Sequence, residues 1–377
     1  MAGDCPRVLV VTNDFPPRVG GVQQYVWNLA RHLPAERVAV LAPNWPGWQA
    51  FDRDQLFPVH RWPARFLWPT TDLAARIRSL AKEHDAAVVL FGHGFPLPLA
   101  GRTLDHVTPY VTLTHGAEVW LGRTPGMSAA MRWGLAGARE VTAVSEYTAR
   151  SVRRLLPDGT PLSVLHPGVS EQRFTSTVRG ASVRKRHGLG NRPVVLCVSR
   201  LVPRKGQDVL IRALPMVRRR VPETSLVLVG EGPYRSTLKE LASAADPGSV
   251  VFAGEVSDDE LPSYYAACDV FAMPCRSRWA GLEVEGFGIV FLEAASAGKP
   301  AVAGRSGGAE EAVVDQDTGL VVEGKEPKAV ALAVARLLGD EAMAKRMGAA
   351  GRARVEGEFT WDRQAGRLAE ILDRAVR

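Results

Sequence analysis

The feature that most limits the fold of this chain is a unit that recurs along it. Each copy is a short β-rich apolar run, a turn, and a stretch with apolar residues at helical spacing. The first copy runs from Arg7–Thr12 through N-D-F-P-P-R-V-G-G to Val22–Leu33, where Val22, Val26, Leu29, Ala30 and Leu33 share one face. Continuous rather than alternating apolar runs mark strands covered on both sides, as a parallel sheet requires. Similar runs follow at Val38–Ala42, Ala87–Phe91, Tyr110–Thr114, Glu140–Val144 and Leu162–Leu165. A glycine-rich, basic linker at Pro167–Gly190 precedes a second series at Val194–Ser199, Leu226–Val229, Val250–Phe252, Val270–Met273 and Pro300–Ala303. The alternation predicts an α/β protein of two domains, 1–170 and 171–355, followed by a helical segment at 356–377.

Composition excludes several classes. The net charge of +7 is spread along the 377 residues without a long run of one sign, so no nucleic-acid tail is expected. The four cysteines form no C-x-x-C pair and read as reduced core residues, without a disulfide framework or zinc site. No apolar run approaches the ~20 residues of a membrane span. The first residues lack the pattern of a secretory leader, so a cytoplasmic protein is expected.

One interval breaks the rhythm. Trp45–Pro69 carries Trp45, Trp48, Phe51, Phe57, Trp62, Phe66 and Trp68 among prolines and arginines. It reads as a long loop with two open roles. Its rings pack beneath the loop, or they join Arg61 and Arg65 at an anionic lipid surface. Thr71 and Asp72 then offer a cap for a helix carrying Leu73, Ile77 and Leu80.

The chemistry-bearing stretch is Arg276–Glu311. Glu285 and Glu293 bracket Gly286-Phe287-Gly288 and the start of a helix predicted over Ile289–Ala297. Glycines let backbone approach a ligand closely, and a helix N-terminus presents unpaired N–H groups to an anion. A diphosphate with a sugar at each end needs that layout, with a carboxylate for hydroxyls on either side. The bland alternative is an ordinary helix after a glycine loop. Arg200 and Lys205, in S-R-L-V-P-R-K-G, close another strand of the same domain, and the strand ends of such sheets converge on one crevice. Gly230-Glu231-Gly232 follows a third strand, but Arg235 stands where a dinucleotide fingerprint wants glycine. The tripeptides Asp52-Arg53-Asp54 and Asp315-Gln316-Asp317 read as structural, and no metal is predicted.

Four motifs in order over nearly the whole chain carry a resemblance: the Gly20-Gly21 loop, T-H-G-A-E at Thr114–Glu118, S-R-L-V-P-R-K-G, and the Glu285/Glu293 pair. Together they resemble the retaining family 4 glycosyltransferases. D-F-P-P-R-V-G-G, F-A-M-P, E-G-F-G-I-V-F-L-E-A and M-G-A-A-G-R-A narrow it to the actinobacterial mannosyltransferases that extend phosphatidylinositol mannosides with GDP-mannose. The resemblance implies a GT-B fold: two Rossmann-like domains facing a central cleft, with a C-terminal helix crossing back to the first. The first domain would serve the acceptor and the second the donor.

By the same resemblance, Arg200 and Lys205 bind the donor diphosphate and offset charge on the leaving group. Gly286, Phe287, Gly288, Ile289 and Val290 hold phosphate and sugar oxygens. Glu285 takes the hexose hydroxyls and Glu293 the ribose. Gly20 and Gly21 let a loop close over the phosphates, His115 lies near the reacting sugar, and Gly230 and Val256 offer backbone to the base. The implied reaction retains configuration through front-face attack. It needs no cofactor beyond GDP-mannose as donor substrate, and takes a glycolipid acceptor at the inner face of the plasma membrane. Two alternatives stay open: a transferase of this type with another sugar nucleotide and a soluble acceptor, and a sugar-nucleotide epimerase or non-catalytic nucleotide-binding protein.

Overall fold

The computed structural model describes residues 5–104, 108–116, 122, 124, 126–245 and 248–377. It divides into two compact units, residues 1–168 with 361–377, and residues 169–360.

In the first unit the strands are β1 (Val8–Val11), β2 (Val38–Pro43), β3 (Val59–Trp62), β4 (Val88–Phe91), β5 (Tyr110–Thr114), β6 (Glu140–Ala143) and β7 (Leu162–Val164). They lie in the order β3-β2-β1-β4-β5-β6-β7, every neighbouring pair parallel. The order reverses between β1 and β4, which creates a switch point at the strand ends. Successive side chains of a strand point to opposite faces. Val8 and Val10 therefore join one core with Val38 and Val40, while Leu9 and Val11 join the other with Ala39 and Leu41. That double burial is why the strands read as unbroken apolar runs.

The first of these cores is completed from far along the chain. Trp361, Leu368 and Leu372, on the helix Trp361–Val376, pack there beside Tyr25 and Leu29 of the helix Gly21–Arg31.

The interval Trp45–Pro69 departs from the loop expected of it. It contains the helix Trp48–Arg53 and the edge strand β3. Because β3 is half-buried along its length and carries His60 and Arg61, it lacks the apolar signature of its neighbours. Arg61 faces inward rather than toward lipid. It is only 4% exposed, pairs with both carboxylate oxygens of Asp52, and donates to the carbonyls of Pro16 and Pro43. Asp52 is thereby consumed as an internal partner. Phe57 is buried, Trp62 packs against the core, and Trp45 lies between Arg18 and Arg65. Phe66 and Trp68 pair ring to ring at 4.6 Å, and Trp68 remains 62% exposed. The helix that follows, Thr71–Glu83, is capped one residue earlier than expected: Thr70 Oγ1 accepts from the Leu73 N–H at 3.2 Å.

The second unit holds β8 (Val194–Val198), β9 (Ser225–Val229), β10 (Val250–Gly254), β11 (Val270–Met273), β12 (Ala301–Gly304) and β13 (Gly319–Val322), in the order β10-β9-β8-β11-β12-β13. Strand β13 was not anticipated, because G-L-V-V follows Asp315-Gln316-Asp317 and is short. Asp315 Oδ1 accepts from the Val321 N–H and fixes that turn. The sheet reverses between β8 and β11. All four cysteines are free and buried, and burial pushes Cys197 up to about 11 and Cys275 up to about 12. Thiols of that kind are inert.

Candidate functional site

Three strands of the second unit, β8, β11 and β12, deliver their C-terminal ends to one place. After β8 the chain passes Ser199, Arg200 and Leu201 into a 3-10 turn, Pro203–Lys205. Gly206 ends that turn at φ 79° and starts the helix Gln207–Arg218. A Cβ at Gly206 would lie 2.1 Å from the Pro274 carbonyl oxygen, so the loop after β11 can approach only glycine. Gln207 braces the turn by donating to Ser199 Oγ at 2.8 Å and to the Arg200 carbonyl at 3.0 Å.

Glu285 is fixed from the other side by the turn after β12. Its N–H donates to Ser306 Oγ at 3.3 Å, and its carbonyl accepts from the Gly308 N–H at 2.9 Å. Its carboxylate, in a residue only 7% exposed, accepts from Lys205 Nζ at 2.6 Å and Arg204 Nη1 at 2.9 Å. Burial by itself would raise this carboxyl. The charges and hydrogen bonds of Lys205 and Arg204 outweigh it and hold Glu285 below the ordinary carboxylate range. Lys205, expected with Arg200 to face a diphosphate, is thus tied to Glu285. Arg204 was missed, although its place beside Lys205 in the turn P-R-K was visible.

Arg200 is exposed, and its side chain has no ion pair among the described residues. Gly230, at φ 121°, lies where a Cβ would meet the Ser199 carbonyl oxygen at 2.3 Å, so its backbone is pressed against the end of β8. Val256 is half-buried against the core.

Gly286, Phe287 and Gly288 lead into the helix Ile289–Ser296, with Gly288 at φ 94° as its first cap. Phe287 is buried against Phe359, and Ile289 and Val290 open the helix with half-buried side chains. Glu293 follows one turn later. Its Oε2 accepts from the Tyr265 hydroxyl at 2.6 Å. Burial raises this carboxyl, and the Tyr265 bond only partly opposes it. The two glutamates are therefore driven apart: Glu285 toward the ionised form, Glu293 toward the neutral one. Tyr265 was not anticipated, since its partner Glu293 lies 28 positions further along the chain.

In the first unit His115 follows β5. Its Nε2 lies 2.7 Å from the Gly92 carbonyl oxygen, and its ring meets those of Tyr25 and His93, each at 5.2 Å. His93 Nε2 in turn contacts Asp14 at 2.5 Å, and Asp14 also meets Arg18 and Gln23. Burial would raise Asp14, but His93 and Arg18 hold it low. Neither His93 nor Asp14 was singled out from sequence. Gly20 precedes the helix Gly21–Arg31, where a Cβ would strike Gln23, whereas Gly21 has open space around it. Ala117 and Glu118 of T-H-G-A-E lie outside the described residues.

Residues 19–173 match Glycosyltransferase Family 4, and residues 181–354 match Glycosyl transferases group 1. The chain is 46% identical over 97% of its length, and 98% of the relative's, to the GDP-mannose-dependent alpha-(1-6)-phosphatidylinositol monomannoside mannosyltransferase of Mycobacterium tuberculosis. The chain belongs to the group 1/family 4 glycosyltransferases. This glycosyltransferase is also 38% identical to the GDP-mannose-dependent monoacylated alpha-(1-6)-phosphatidylinositol monomannoside mannosyltransferase of Corynebacterium glutamicum, over 98% of its own length and 99% of the relative's. The crystal structure of Anabaena HepE in complex with UDP and glucose superposes on it with a TM-score of 0.82 at 21% identity, covering 98% and 99% of the two chains. That likeness establishes the fold: two parallel-sheet α/β domains of the GT-B type.

Proposed function

We propose that this glycosyltransferase moves mannose from GDP-mannose to a phosphatidylinositol mannoside-type glycolipid with retention of configuration. The observation that carries the chemistry is the Arg204–Lys205–Glu285 cluster at the strand ends of the second unit. The near-full-length likeness to GDP-mannose-dependent enzymes supports the substrates.

On this reading the second unit takes the donor. Glu285, kept ionised by its two cations, is an acceptor-only group for hexose hydroxyls. Lys205, Arg204 and the exposed Arg200 offset negative charge growing on the departing diphosphate, an interaction strongest in the transition state. Backbone N–H groups from Gly286 to Val290 take phosphate and sugar oxygens at the helix start. Glu293, held by Tyr265, receives the ribose, and Gly230 and Val256 border the base. The first unit takes the acceptor, with Gly20, Gly21 and His115 as its contacts to donor and sugar. No residue is assigned as a nucleophile; the oxocarbenium-like centre is attacked from the face the diphosphate leaves, and that leaving group accepts the acceptor proton. No cofactor or metal enters the scheme. Among the described residues no helix is long and apolar enough to cross a membrane. We assign contact with an anionic membrane at its cytoplasmic face to the exposed Trp68, the half-buried Phe66 beside it and their surroundings.

The test is calorimetry of the purified chain against GDP-mannose, UDP-glucose and UDP-N-acetylglucosamine, then turnover on extracted phosphatidylinositol mannosides. GDP-mannose should bind tightest and be consumed. Lys205→Ala should lower transfer by ~10²–10³-fold, the usual scale for one transition-state donor. Preference for a UDP-sugar, or near-wild-type turnover in the variant, would sink the assignment.

A further inference from the structure

At the outer edge of the first sheet, two imidazoles meet where the transfer chemistry has no use for them. His60 is the second residue of β3, and His84 caps the helix Thr71–Glu83 at its C-terminal end. Their Nε2 atoms are 2.7 Å apart, with ring centroids at 4.9 Å and planes inclined by 56°. The neighbouring carboxylate, Glu83 Oε1, lies 4.0 Å from His84 Nε2 and is 53% exposed. One ligand atom from each of the three residues falls within 4.8 Å of the others.

We propose that His60, Glu83 and His84 form a binding site for a divalent transition-metal ion of the zinc type. Two imidazole nitrogens and one carboxylate oxygen are a donor set that zinc takes, leaving one position for water. Calcium and magnesium prefer oxygen ligands throughout, so this pair of rings selects against them. The geometry needs little change. The two Nε2 atoms sit at 2.7 Å here; bound to one tetrahedral ion at ~2.0–2.1 Å each, they would sit roughly 3.3 Å apart. The rings come from two different elements already held by the core, so an ion would not have to order a loop.

Two guanidiniums bear on the site: Arg7 Nη1 donates to the His84 carbonyl at 3.4 Å, and Arg76 acts on His60 through its charge. Glu83 opposes them, which makes it the ligand that decides whether a cation is tolerated. Among the described residues, strand β3 is an edge strand paired only with β2, and an ion here would clamp it to the end of the following helix. The site is structural in character and belongs to the first unit.

The experiment is calorimetric titration of the chelator-stripped full chain with Zn2+, with Mg2+ in parallel, on wild type, His60→Asn/His84→Asn and Glu83→Gln. Wild type should bind one Zn2+ that the double variant does not bind, and its thermal midpoint should rise with Zn2+ while the variant's stays put. Glu83→Gln, at an exposed position, should fold normally and bind about tenfold more weakly. If the double variant proves unfolded by circular dichroism, Glu83→Gln alone decides the matter. No Zn2+ uptake by wild type, equal uptake by a folded double variant, unchanged affinity in Glu83→Gln, or Mg2+ binding of equal strength overturns the proposal.

Discussion

Replacing Lys205 with methionine keeps most of the side-chain volume and deletes one of two cations on Glu285. At an effective dielectric of ~20, a unit pair at 2.6 Å attracts by about 6 kcal/mol, and the Arg204 pair at 2.9 Å by a similar amount. Against these stand several kcal/mol of lost hydration for each buried ion. Deleting Lys205 also recovers its own desolvation, and Arg204 stays. The expected net loss is about 3 kcal/mol, at the low end of the ~3–5 kcal/mol seen when a buried pair is broken.

The pH dependence follows from the sign of the shift. In wild type Glu285 sits below its unfolded value, so its stabilising contribution is present at neutral pH and is lost as pH falls through the folded value. In Lys205→Met, burial faces a single cation and the carboxyl moves up. The deficit against wild type should therefore be largest at neutral pH and shrink as acid protonates Glu285. Urea unfolding followed by circular dichroism at pH 7.5 and pH 5 measures this, with Lys205→Met/Glu285→Gln alongside. Glu285→Gln should return part of the stability, because it removes the under-compensated charge. A deficit independent of pH, together with no recovery in the double variant, would show that the cluster does not work as described.

Tyr265→Phe leaves Glu293 without its hydroxyl donor, and burial should then push that carboxyl further up. Losing one bond to a carboxylate, worth ~1.5 kcal/mol, should weaken GDP about tenfold by calorimetry, and unchanged affinity would detach Glu293 from the ribose. Phe66→Ser/Trp68→Ser should lower cosedimentation with anionic vesicles about tenfold, given the apolar area these rings leave in water. Trp62 is left in place there because it packs inward, and binding equal to wild type would remove this pair from the membrane contact.

The sheets were legible wherever a strand is buried on both faces. β1 and β4 announce themselves because every residue is apolar and buried. Edge strand β3 escaped because half-burial permits V-H-R-W, and β13 because its four residues follow a turn. At the site, Glu285, Glu293 and Lys205 could be picked out by residue type and spacing. Arg204 could not be ranked above other surface arginines, because its pairing depends on a 3-10 turn that aims it at a carboxylate some eighty positions away. Tyr265, His93 and Asp14 share that difficulty: each meets a partner brought close only by the fold. Arg61 teaches the converse, since an arginine among aromatics left both a packed loop and a lipid surface open, and it is spent inside on Asp52.

The helix Trp361–Val376 has a consequence for how the protein is made. The first unit is translated early, yet one of its two cores still lacks Trp361, Leu368 and Leu372 until residues 169–360 have also been made. During that interval a nascent chain holds every residue of the second unit, while the first unit still has an open apolar face. Protease sensitivity of ribosome-bound chains should accordingly persist in residues 5–168 after the second unit has become resistant, and would end only when the last helix emerges. The order of synthesis and the order of completion are reversed in this fold, so the earliest residues out are the last to be protected.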